Sequence, residues 1–351
     1  MHSEFKSIAK PFSNILNIGG IDYLYFGGTA YLGIPQNPEF IELFTEGIKK
    51  YGLNNGTSRT NNVQLGIYDD AEKVAAHRFK AEDALITSSG YLAAQLTVKG
   101  LSGFGKVIYA PSCHPALWLD DQVPNRKPFS EWKVETLALI NNAKEQNWVL
   151  ISNSMNNLFP EIYDFGFLEE IHHDKKVILI VDDSHGIGIN NGGLGSFVAL
   201  PKKDNIDCVI VASMAKALGL DAGLVLGSSK IIQQLKRTNT FIGASPPAAA
   251  GLYTFIKGEH IYKEAWDKLQ ENIDLLSSKL SLVWNFEIGF PVFFLNNPEL
   301  ASRLLPNKIL ISSFPYPDAN SELINRVVLS SWHSPPEIDY LASCLENCES
   351  S

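Results

Sequence analysis

Val177-Ile178-Leu179-Ile180-Val181-Asp182-Asp183-Ser184-His185-Gly186 is the stretch that decides the architecture of this chain. Its first five residues are all apolar and lack the alternation of a strand with one wet face. They predict a strand covered on both sides, and so a mostly parallel sheet between helix layers. Other short runs of the same kind lie on either side: Ala84–Thr87, Val107–Ala110, Trp148–Ser152, Cys208–Ala212 and Leu224–Leu226. Helical patterns separate them. Asn37-Pro38 reads as an N-cap and first turn, followed by Phe40, Ile41, Phe44, Ile48 and Tyr51 at helical spacing and by Gly52 as a stop. Asp69-Asp70 opens a second helix through about Lys80, and Pro246-Pro247 a third that ends near Gly258.

Further along, Tyr262 to Leu282 is one long amphipathic stretch. Strand patterns at Val292–Leu295, Ile309–Ser313 and Arg326–Ser330 then mix with helical ones at Pro298–Leu305 and Pro335–Cys344, which predicts a smaller α+β region. A length of 351 residues with 45% hydrophobic content suits a large domain plus a smaller one. A net charge of -9 argues against a general nucleic-acid binder, which needs a basic face. No apolar run is long enough to predict a membrane span, and Met1-His2-Ser3-Glu4-Phe5-Lys6 lacks the apolar core of a secretory signal. Cys113, Cys208, Cys344 and Cys348 form no CxxC pair, so a reduced, cytoplasmic chain is the expectation.

In open α/β sheets, ligands sit beyond the carboxyl ends of the strands. The residues there are Ser88-Ser89-Gly90-Tyr91, then Ser112-Cys113-His114, then Asn153 and Asn157, then Asp182, Asp183 and His185, and finally Ser213 and Lys216. Asp182 ends an apolar strand and needs a partner: a helix cap, a salt bridge, or the cationic ring nitrogen of a cofactor. A lysine is ordinarily a solvated surface group. Lys216, beyond a buried strand and among small residues, is instead a candidate for an amine freed by desolvation to form an imine. Ser89-Gly90-Tyr91 is a strand-to-helix turn whose backbone N–H groups suit an anion, although most such turns bind nothing. His114 and His185 each have an ordinary packed reading beside a catalytic one.

These motifs, in this order, resemble the α-oxoamine synthases, a family of transferases dependent on pyridoxal 5'-phosphate (PLP). Leu179 to Gly188 is similar to that family's VDDAHGxG, and Tyr31-Leu32-Gly33 to its NDYLG. Ser89-Gly90-Tyr91 resembles its SGF/SGY turn, Cys113-His114 its ring-stacking histidine loop, and Ser213 to Lys216 its T-x-G-K segment. The glycines Gly192, Gly193 and Gly195, and the segment from Phe241 to Pro247, agree as well. The resemblance implies an α/β protein of PLP-dependent transferase fold type I, with a smaller α+β C-terminal domain. It divides the chain into an N-terminal segment (1–44), a large PLP-binding domain (45–257) and a small C-terminal domain (258–351). It implies that Lys216 holds the cofactor as an imine, that Asp182 pairs with the pyridine nitrogen and that His114 stacks on the ring. His185 would lie near the cofactor's O3'. Ser89, Gly90, Tyr91 and Ser213 would bind cofactor atoms, mainly phosphate, with Asn157 donating to the O3' oxygen. The implied reaction condenses an amino acid with an acyl-CoA thioester and releases carbon dioxide, as 8-amino-7-oxononanoate synthase does, in a homodimer with sites at the interface.

The chain also departs from that family. Its carboxylate-binding arginine falls on Phe314, which cannot hold a carboxylate by paired hydrogen bonds. Arg326 matches a different, strand-borne arginine, and Arg59 is the candidate replacement charge. The family's Glu and Ser near O3' fall on Asn153 and Asn157, its NDYLG asparagine on Thr29, and its phosphate-binding threonine near Gly243, with Ser245 close by. Two alternatives therefore stand beside the acyltransferase: an aminotransferase or other PLP enzyme acting on a different amine, and a non-catalytic PLP-fold binding protein. A dinucleotide-binding dehydrogenase is disfavoured, because no GxGxxG follows the first strand.

Overall fold

A computed structural model describes residues 3–120, 127–156, 158–315 and 321–349. In chain order the strands are β1 (Ile15–Ile18), β2 (Ile21–Phe26), β3 (Asp83–Thr87), β4 (Lys106–Tyr109), β5 (Asn147–Asn153), β6 (Met155–Asn156), β7 (Glu161–Ile162), β8 (Lys176–Asp182), β9 (Ile206–Ser213), β10 (Gly223–Gly227), β11 (Asn285–Phe286), β12 (Val292–Phe294), β13 (Ile309–Pro315) and β14 (Leu323–Val328). The helices are α1 (Pro38–Tyr51), α2 (Ile67–Arg78), α3 (Gly90–Leu101), α4 (Phe129–Asn142), α5 (Ser229–Lys236), α6 (Asn239–Gly243), α7 (Ala249–Lys257), α8 (Glu259–Ser277), α9 (Leu300–Leu304) and α10 (Pro335–Glu349). The chain divides into two compact units.

The larger unit runs from Glu42 to Asn156 and from Ile162 to Glu259. All six predicted buried strands form one six-stranded sheet, in the order β3-β10-β9-β8-β5-β4. The pairs β4–β5, β5–β8 and β8–β9 are parallel, whereas β10 runs antiparallel to both β9 and β3. Five strands therefore point the same way and β10 alone is reversed. From Trp148 to Ile151 and from Val177 to Val181, every residue is at most 4% exposed. Both faces are thus covered, as the lack of alternation requires. Helices α2, α3 and α5 pack against the strands. The third predicted helix begins at Ala249 rather than at the proline pair, which precedes it as an extended entry.

The second unit gathers the residues up to Ile41, those from 158 to 161, and those from His260 on. The sequence sets residues 1–44 apart as a segment of their own. Here β1 and β2 instead form one sheet with the C-terminal strands, in the order β1-β2-β13-β14-β12-β11. The link is parallel pairing of β2 with β13, Leu24 opposite Ile309 and Phe26 opposite Ile311. The hairpin itself turns on Gly19 and Gly20, whose φ values of +60° and +83° suit a two-residue loop between right-twisted strands.

His333 locks this unit together. It is 1% exposed and stacks on Phe26 with ring centroids 4.3 Å apart. Its Nδ1 accepts from the Ser330 N–H at 3.0 Å, so Nε2 carries the proton and donates to the Tyr25 carbonyl at 2.9 Å. Burial pulls its pKa down to about 4, since charging the ring would desolvate a cation and break the Ser330 bond. The folded state therefore favours the neutral ring. The associated stability is complete above the ordinary histidine pKa of about 6.5 and is lost as pH falls from there through about 4. Urea unfolding is expected to show roughly 2 kcal/mol less stability at pH 5 than at pH 7 from this group, and His333→Gln should flatten that dependence.

Candidate active site

The common direction of five strands brings their carboxyl ends to one edge of the larger unit's sheet. Backbone register makes this concrete. Asn153 is the strand partner of Asp182, Asp182 of Val211, and Gly223 of both Ser213 and Thr87. Thr87, Asn153, Asp182 and Ser213 thus end their strands side by side. The Ser89-Gly90 turn, His114, His185 and Lys216 follow within a few residues.

Ser89 caps α3, its Oγ accepting from the Leu92 N–H at 3.2 Å. The N–H groups of Gly90 and Tyr91 then have no acceptor within the helix. Gly90 lies so close to β9 that a Cβ on it would stand 2.6 Å from Ser213 Cβ and 2.7 Å from Ser213 Cα. That contact seats the turn against the start of the lysine segment. Ser213 donates its N–H to Ser184 Oγ at 2.8 Å, joining the lysine segment to the Asp182–His185 turn. Tyr91 is 65% exposed.

Asp182 is half-buried, and its Oδ1 accepts from the Ser184 N–H at 2.9 Å. Lys216 sits in the turn between β9 and β10, which Met214 closes by donating to Ala222 O at 2.9 Å and accepting from Leu220 at 3.1 Å. His185 is half-buried in the turn after Asp182. The His114 pKa is lowered, chiefly because surrounding atoms desolvate the ring, although the residue as a whole is exposed to solvent. Asp182 works against that shift and Lys216 adds to it, so both side chains lie within electrostatic range of His114. Asn157 lies outside the described residues.

Two neighbours explain why the chain takes this shape. Asp183 is fully buried and points away from solvent into the glycine turn. Its Oδ2 accepts from the Ser196 N–H at 2.7 Å, and its Oδ1 from the Ser196 hydroxyl at 2.6 Å. Burial pushes its pKa up to about 6 against the pull of those bonds. A Cβ on Gly186 would collide with Oδ1, and one on Gly195, at φ +73°, would stand 2.5 Å from Oδ2. The glycines after the acidic motif are thus spacers around a buried carboxylate. Glu72, 2% exposed, accepts from Arg59 at 2.8 Å, Lys236 at 2.9 Å and the Ile86 N–H at 3.0 Å. Arg59 also meets Asp69 at 3.2 Å. Its charge is already matched, so it is no replacement for the arginine missing at position 314. That position is instead an apolar ring under Arg326, whose guanidinium carbon is 5.1 Å from the Phe314 centroid. A cavity of about 400 Å³ is lined by Asn54, Thr57, Ser58, Tyr68 and Ser245 among others, and by none of the side chains at the sheet edge.

PLP requires an amine, a carboxylate for its ring nitrogen, a flat group for its ring face and N–H or hydroxyl donors for its phosphate. The sheet edge carries one of each kind, and the close Gly90–Ser213 approach leaves the open helix start beside them. The residues fit the group.

Relatives agree with this class. The sequence profile of the aminotransferase class I and II family matches residues 26–345. A putative 8-amino-7-oxononanoate synthase of Thermodesulfovibrio yellowstonii is 24% identical over 346 residues, covering 94% of this chain and 89% of the relative. Among solved structures, the Sphingomonas wittichii serine palmitoyltransferase superposes with a TM-score of 0.83 at 18% identity, covering 99% of this chain and 92% of that one. The 8-amino-7-oxononanoate synthase of Francisella tularensis gives 0.71 at 21% identity, covering 93% and 98%. The fold and the cofactor class are those of PLP-dependent fold type I transferases. The chain belongs to the aminotransferase class I and II family.

Gly90→Ala is expected to force the turn off β9, costing about 1–3 kcal/mol of stability and lowering PLP content at equal added cofactor. Thermal melts with and without PLP, together with the near-visible absorbance of the purified protein, check this.

Proposed function

We propose that this protein is an acyltransferase that joins an amino acid to an acyl thioester with loss of carbon dioxide. The observation that carries the reading is the shared sheet edge of Lys216, Asp182 and His114, in a chain whose relatives include 8-amino-7-oxononanoate synthases. Bound PLP draws electrons from the carbon bearing the substrate nitrogen, so that bonds at this carbon can be exchanged.

The chain's own groups set up that exchange. Asp182 would hold the ring nitrogen by charge pairing and keep it protonated. His114, held neutral by desolvation, covers the ring face without adding a competing cation. Lys216 Nζ would supply the amine that retains the cofactor and a group able to move a proton at the substrate carbon. The N–H groups of Gly90 and Tyr91 with the hydroxyls of Ser89 and Ser213 bind the phosphate. His185 would hold the ring hydroxyl oxygen, a role that the family resemblance extends to Asn157. In balance, the bond to the substrate carboxylate breaks, a carbon–carbon bond to the acyl carbon forms, and the thiolate leaves and takes up a proton. The reading includes a cytoplasmic homodimer.

One observation favours a second reading. With Phe314 where the resemblance places a carboxylate-binding arginine, and Arg59 matched by Glu72 and Asp69, an amine lacking a carboxylate is the alternative substrate. Transamination of such an amine would then replace acyl transfer.

Glycine or alanine supplied with a series of acyl-CoA thioesters is expected to release free thiol. Lys216→Ala should abolish that release and, after borohydride treatment, the cofactor mass found on the peptide containing residue 216. If no pair releases thiol while an amine alone converts bound PLP to the pyridoxamine form, the second reading replaces the first.

A further inference from the structure

His114 depends on a loop whose shape is unusual. Ser112, two residues before it, has φ +54°, a left-handed conformation that a residue with a side chain rarely holds without help. The help comes from Asn153 at the end of β5. Its Nδ2 donates to Ser112 O at 2.8 Å, and its Oδ1 accepts from the His114 N–H at 3.1 Å. One amide thus grips the backbone on both sides of Cys113. Asn153 is 1% exposed, so neither bond competes with water. It is also the register partner of Asp182. The same residue that holds the histidine loop is therefore anchored beside the carboxylate at the next strand end.

Beyond His114 the loop is tied elsewhere. Trp118 Nε1 donates to Cys113 O at 3.1 Å, and Gln95 Nε2 donates to Ala116 O at 2.8 Å. The Ala116 N–H donates to His114 Nδ1 at 3.2 Å. A nitrogen that accepts carries no proton, so the neutral ring bears its proton on Nε2. That bond forms only while the 112–114 backbone keeps its turn.

We infer that Asn153 is a positioning residue, which by clamping Ser112 and His114 fixes the orientation and the Nε2–H tautomer of His114 beside Asp182 and Lys216. An aspartate in its place would keep an acceptor for the His114 N–H but oppose the Ser112 carbonyl with a second acceptor. An alanine would release both. In either case Ser112 can relax to negative φ, carrying Cys113 and His114 with it.

The inference rests on the proposed function for the role of His114, but its test does not need turnover. Ring 15N shifts of His114, identified by their disappearance in His114→Gln, are to be recorded on the full chain with and without PLP, at a pH above the imidazole titration. The wild type is expected to show one tautomer, protonated at Nε2. Asn153→Ala should give a mixture, a His114 titration moved up toward its ordinary range, and roughly tenfold or greater loss of kcat from misplacement. Asn153→Asp provides the reading should the alanine variant fail to fold, with a mixture again expected. Ser152→Ala removes a neighbouring buried hydroxyl, one that donates to Asn153 O at 2.8 Å. It should lower stability and leave the tautomer single. A single Nε2–H tautomer in the foldable Asn153 variants overturns the proposal, as does an equal mixture in Ser152→Ala. Absence of any PLP adduct or thiol release in the wild type would overturn the function instead, leaving the tautomer result to stand.

Discussion

Everything at the candidate site depends on the backbone register of four parallel strands. Hydrogen bonds between β4, β5, β8 and β9 place Asn153 beside Asp182 and Asp182 beside Val211, two residues before Ser213. A slip of one residue in any ladder would exchange the faces of a whole strand, burying what now ends in the open and exposing part of the core. Because both faces are covered, such a slip has no cheap alternative. The rigidity of the sheet is what lets side chains more than a hundred residues apart in sequence act as one group.

Behind that edge lie two carboxylates that no substrate needs to touch. Asp183 and Glu72 are both nearly inaccessible; Ser196 donates twice to Asp183, while Arg59, Lys236 and the Ile86 N–H donate to Glu72. An isolated buried charge would be strongly destabilising. Here each is a tie: Asp183 shapes the glycine turn beneath Asp182, and Glu72 joins the Arg59 loop and α5 to the end of β3. Adjacent aspartates in one motif thus divide their tasks. Asp182 is left half open for a ligand, while Asp183 holds the ground it stands on.

Much of the larger unit was legible in the sequence because buried parallel strands write unbroken apolar runs. All six runs read from the sequence became strands of its sheet, with ends displaced by a residue or two. The N-terminal hairpin was not read, although Gly19-Gly20 between Ile15–Ile18 and Ile21–Phe26 carried a turn signal. What hid it is its mixed exposure: Ile15 and Ile21 face outward at 44% each, so neither the buried nor the alternating pattern stands out. Nor does any local signal reveal that β2 pairs with β13, since contacts between the two ends of a chain leave no periodicity. Arg59 illustrates a different limit. Its charge was visible, but whether that charge was available depended on Glu72 and Asp69, thirteen and ten residues away on a helix face.

The sequence alone determined the class of sheet, the order of the chemistry-bearing motifs and the apolar ring at position 314. These are properties of local composition and spacing, which physics reads one segment at a time. Only the tertiary structure decided that Asn153 grips the histidine loop, that Asp183 rather than Asp182 is the buried member of its pair, and that Arg59 is already matched. Each of those is a matter of which groups share a dry interior, and that is settled by strand register and packing between segments the chain order keeps apart.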